Sequence, residues 1–110
     1  MSLSDVIFLT MSLYLYLVDR LNWDVDYGHE SYASFVACAH NAEEARHLHP
    51  DGQRSLLRVN DPDSVAEFEA GQCWIRATEL TRLMVTPLGV AYPHFTNPSV
   101  ILSKYNGDLL

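Results

Sequence analysis

The sequence predicts an α+β fold: a small antiparallel β-sheet with one main α-helix packed on one face. Three observations predict it. Leu13, Leu15 and Leu17 alternate with Tyr14, Tyr16 and Val18, so both faces of one extended segment are apolar. Ser31 to His40 reads as a strand and runs straight into a helix that begins at Asn41. Thr81 to Val85 and Ser99 to Tyr105 add two more strand-like segments after a polar, irregular middle.

Residues 1–10 have two readings. Met11-Ser12-Leu13 repeats the opening Met1-Ser2-Leu3, so residues 1–10 read as an N-terminal extension ahead of a single domain over 11–110. The alternative is an extra first strand from Asp5 to Leu9. In the strand near residues 12–18, Leu13, Leu15 and Leu17 are expected to face the helix. Tyr14, Tyr16 and Val18 then need cover from the extension or from a second subunit, which makes a homodimer the expected assembly. Asp19 to Glu30 is a polar connection.

In the strand over 31–40, Phe35, Ala37 and Ala39 point one way, and Ser34, Val36, Cys38 and His40 point the other. The alanines let a helix approach closely. Asn41 followed by Glu44 is a capping box, which predicts a helix over about 41–48. Pro50-Asp51-Gly52 ends it and turns the chain. Asp61-Pro62-Asp63 starts a helical turn carrying Val65 and Phe68, closed by Gly71. Trp74 and Ile75 follow as a core anchor. The third strand is expected near 81–86, with Leu83 and Val85 inward and Pro87 and Gly89 interrupting it. The last spans 99–105 and stops at Asn106-Gly107. The expected core is Leu15, Phe35, Ala37, Ala45, Leu48, Trp74, Leu83 and Ile101.

Several of these motifs together resemble a known group. They are Met11-Ser12-Leu13-Tyr14-Leu15, Tyr32-Ala33-Ser34-Phe35-Val36-Ala37-Cys38-Ala39, Glu43-Glu44-Ala45-Arg46 with His49-Pro50, Trp74, Leu88-Gly89-Val90-Ala91, and Val100-Ile101-Leu102-Ser103-Lys104-Tyr105-Asn106. Over residues 11–107 they resemble a family of small uncharacterised proteins encoded mostly by bacteriophages and prophages. The resemblance implies a phage-type accessory protein and supplies no catalytic residue to carry over. The chain departs from the family pattern before Met11 and in an insertion from Arg54 to Gln72.

Composition narrows the function classes. A chain of 110 residues with 48% apolar and 19% charged residues suits one folded domain. The net charge is −7, and Lys104 is the single lysine. Such a surface repels phosphate backbones, so direct nucleic-acid binding is not expected. The apolar run from Val6 to Val18 is too short to span a bilayer as a helix. Asp5 is the only charge ahead of Asp19, so the basic start of a secretory signal is missing. The expected compartment is the cytoplasm of a bacterial host, with Cys38 and Cys73 as free thiols.

Chemistry-bearing clusters are sparse. Asp24, Asp26 and Glu30 alternate around Gly28 but lack the full ligand set of a calcium loop. Cys38 and His40 share a strand face, two ligands where a closed zinc site needs four. His47 and His49 lie two apart, not three or four, and are expected as surface and helix-end groups. Glu43 and Glu44 are adjacent and suit capping better than acid–base work. No nucleophile elbow, P-loop or dinucleotide fingerprint is present. No metal, cofactor or catalytic residue is therefore expected.

Trp23, Tyr27 and Tyr32, with His29, gather around the acidic connection. They are the candidate binding residues, and their competing role is a lid over one end of the core. The expected function is non-catalytic binding of a protein partner, with inhibition of a host protein as its form. One alternative is sequestration of a small nucleotide signal at a subunit interface by Arg46, Arg58, Arg76 and Arg82 with an aromatic stacker. The other is a small metal- or thiol-dependent enzyme.

Overall fold

The computed structural model describes residues 13–20, 32–52, 54–70, 74–91 and 95–105. The fold is mixed α+β, a four-stranded antiparallel sheet with short helices. The strands are β1 (Tyr14–Asp19), β2 (Tyr32–Ala39), β3 (Met84–Val90) and β4 (Ser99–Tyr105). Their spatial order is β3-β1-β2-β4, so β1 and β2 are central and the two later strands form the edges. Between β2 and β3 lie α1 (Ala42–Arg46), α2 (Pro62–Ala70) and a 3-10 helix, Ala77–Arg82.

The register of β1 against β2 sets the layers. Val18 pairs with Phe35, Tyr16 with Ala37 and Tyr14 with Ala39. Cross-strand partners share a face, and on this one Tyr16, Val18, Phe35, Ala37 and Ala39 are all buried. Tyr16 lies opposite the small Ala37, so the bulky ring fills space that the alanine leaves. Ala45 of α1, Phe68 of α2, Leu80 of the 3-10 helix, and also Leu48, Leu57, Trp74, Ile75 and Leu83, join the same cluster. Phe35 meets Trp74 edge to face, with ring centroids 5.5 Å apart.

This arrangement reverses the expected faces of β1. The tyrosine face looks into the core. Leu15 and Leu17, paired with Cys38 and Val36, lie on the opposite face and are only half-buried. The physical reason is parity. A slip of one residue moves every side chain to the other face, and an apolar run on both faces does not declare which is inner. Ile101, also expected in the core, is 38% exposed. A register shift between Val36 and Ala37 makes it the extra residue of a bulge in β4. Phe35, Ala37, Ala45, Leu48, Trp74 and Leu83 are buried as expected.

The third strand is longer than expected and starts later. Thr81 and Arg82 belong to the 3-10 helix, and β3 continues through Pro87 and Gly89 to Val90. Proline is tolerated because, among the described strands, β3 is an edge paired with β1 alone. Tyr16 pairs with Pro87 and Leu15 with Gly89, so Leu88 is an extra, bulged residue. Gly89 takes φ +146, a backbone setting that only glycine adopts without strain.

The helices follow their caps. Asn41 Oδ1 accepts the Glu44 N–H at 2.8 Å. The reciprocal bond goes one residue further back than a capping box requires, with Glu44 Oε1 accepting the His40 N–H at 2.9 Å. α1 is five residues long and ends in tightened bonds from the His47 and Leu48 N–H groups to Glu44 and Ala45 carbonyls. Gly52 closes the next turn, donating to the His49 carbonyl at φ +73. α2 is nine residues long, with Pro62 in its first turn. Asp61 caps it by accepting the N–H groups of Asp63 and Ser64. No helix among the described residues is long and apolar enough to cross a membrane.

Candidate interaction surface

Of the aromatic residues proposed from sequence, the structure positions one. Trp23 and Tyr27 lie outside the described residues, as do His29, Cys73 and the carboxylates Asp24, Asp26 and Glu30. Tyr32 opens β2, half-buried, with its ring edge-on to His49 at a centroid distance of 6.3 Å. It therefore packs against the core side of the domain.

His49 is a correction. It was expected at the surface, and it is buried between Tyr32 and Phe68, whose ring lies 5.3 Å away. Its Nδ1 accepts the Asp51 N–H at 3.1 Å and sits 3.2 Å from Asp51 Oδ1. With the ring neutral, Nδ1 is the acceptor and the proton sits on Nε2. With the ring protonated, the same nitrogen would donate to the carboxylate. Asp51 Oδ2 in turn accepts from Arg54 Nε at 3.2 Å. Ser103 Oγ donates to the Pro50 carbonyl and ties the same segment to β4. The cluster staples the chain after α1 to β2, α2 and β4. A buried polar group with satisfied partners does that work well. Proline next to an end-of-helix histidine signalled a turn in the sequence. It could not show that the turn folds inward.

The other described polar side chains bond neighbours within the fold. Cys38 is buried on the face of β2 that carries Val36, with Sγ 3.4 Å from the Asn97 carbonyl and 3.2 Å from Ser99 Oγ. His40 is exposed and bonds Glu44 Oε1 at 2.7 Å, so the two residues serve different neighbours. His47 Nδ1 lies 2.5 Å from the Glu43 carbonyl. Arg46 donates through Nη1 to the Leu80 and Leu83 carbonyls, at 3.0 and 2.9 Å. It thereby caps the 3-10 helix from α1. Arg58 pairs with Asp61 at 3.0 Å, and Arg82 lies 4.0 Å from Glu79. Arg58 and two backbone N–H groups hold the Asp61 carboxyl below the usual carboxylate range. Among the described residues, no group of three or more His, Cys, Asp or Glu side chains is placed to hold a metal.

What stands out is the sheet face turned away from the helices. Leu15 and Leu17 of β1 lie beside Val36 and Cys38 of β2, and the register brings Met84 of β3 and Leu102 of β4 onto the same face. Met84 is 51% exposed and Leu102 60%. Farther along the β3 edge the bulged Leu88 is 52% exposed, and Val90, paired with Tyr14 on the core-facing side, is 68% exposed. At one end Leu13, Cys38 and Ala91 form a small second cluster with Leu15 against it. The strands carry only two charged side chains, Asp19 and Lys104, so the acidic residues crowd onto helices and connections. Such a face can bury area against another protein surface. Sequence reading missed Met84 and Leu102 as surface residues, although the unbroken apolar run Val100-Ile101-Leu102 was its signal.

Comparison of the chain with family models, with curated proteins and with solved structures finds no match.

Proposed function

We propose that the chain is a small acidic binding protein of phage type, which acts without catalysis by laying the outer face of its sheet against a protein partner. Inhibition of a host protein is the activity this reading implies. One observation carries it: the described helices pack their buried residues on one face of the sheet, while Met84 and Leu102 stand exposed on the other. Exposed apolar side chains on a sheet face that the described helices leave open suit an interaction surface. The resemblance of its motifs to those of small phage and prophage proteins suggests the same setting. Of the four arginines a nucleotide-sequestering site would draw on, Arg46, Arg58, Arg76 and Arg82, three lie beside carbonyls or carboxylates: Arg46, Arg58 and Arg82.

The test is co-purification from the native host with the wild-type chain and with the double variant Met84→Glu, Leu102→Glu. The expected result is one stoichiometric partner with the wild type and none with the variant, whose urea midpoint stays within error. A complex indifferent to both substitutions would place binding elsewhere. A nucleotide released on denaturation and seen by mass spectrometry would favour sequestration instead. A twofold homodimer, read by light scattering and lost in the variant, would make the partner a second copy.

A further inference from the structure

No further inference is drawn: the strongest candidate, the apolar outer face of the sheet around Leu15, Leu17, Val36, Met84 and Leu102, belongs to the surface already described, and nothing in the structure shows what covers it.

Discussion

The two faces of the sheet are built from nearly the same chemistry and meet different fates. The inner face sets Tyr16 and Val18 against Ala37 and Phe35, and all four are buried. The outer face sets Leu15 and Leu17 against Cys38 and Val36, and only Cys38 is fully buried. Leucine is no less apolar than valine or tyrosine. Hydrophobicity therefore did not select the inner face. Shape did: Ala37 and Ala39 are small enough to admit α1, and Phe35 is large enough to reach Trp74. Apolar alternation says that a strand is covered or will be, and side-chain size says by what.

The largest expected effect tests the inner anchor. Trp74 is 2% exposed against Phe35, so Trp74→Ala should lower stability by about 3–5 kcal/mol in urea unfolding. Its Nε1 has no hydrogen-bond partner among the described residues, so Trp74→Phe should cost much less than the alanine variant. An unchanged midpoint for Trp74→Ala would mean that the inner cluster is not the core.

A matched pair of truncations sharpens the contrast. Val18 is fully buried, and Val18→Ala should cost about 2 kcal/mol, two methyl groups plus the cavity they leave. Leu102→Ala deletes more carbon from the outer face, yet should cost under about 0.5 kcal/mol in the isolated chain. Equal losses at the two sites would show that the outer face is as buried as the inner one, and the interaction surface would disappear with it.

These residues also show what the sequence could convey. The strand over 31–40 and the cap at Asn41 were legible because each rests on local chemistry, alternation in one case and a side-chain acceptor in the other. The inner residues Phe35, Ala37, Ala45 and Leu48 followed from them. The faces of β1 were not legible. Its register on β2 rests on which face packs inward, and apolar residues on both faces do not declare that. β3 was cut short because Pro87 and Gly89 are strand breakers in isolation, and only the sheet order shows that an edge accepts them. His49 was misplaced for a similar reason. Its burial depends on Phe68 and Tyr32, which are distant in sequence. The candidate surface is defined by the described helices packing on the opposite face, and that follows from tertiary arrangement rather than local pattern.

A smaller effect is expected where the inner face receives its cover. α1 is five residues long and cannot persist by propensity alone. Asn41→Ala removes the acceptor for the Glu44 N–H and should cost about 1 kcal/mol. Asn41→Asp should restore most of it, since aspartate caps equally well. If the alanine variant matched the wild type, Ala45 and Leu48 would be holding α1 in place without its cap.

The smallest effect should come from the cap of α2, where the Asp61 side chain is 40% exposed. Asp61 accepts from Arg58 and from the Asp63 and Ser64 N–H groups, and these hold its carboxyl below the usual value. A carboxylate lowered in the folded state binds its proton less readily there than in the unfolded chain. Its stabilising contribution is thus complete above the unfolded value of about 3.9 and fades as pH falls through the lower folded one. Asp61→Asn keeps an amide oxygen for the cap and removes the titration. Wild type and variant should therefore differ at neutral pH and converge as the pH falls below 4, read by urea midpoints at each pH. Solvent screens an exposed charge, so the gap should be small. A gap that widened in acid would reverse the sign of this linkage and remove Asp61 as the charged cap of α2.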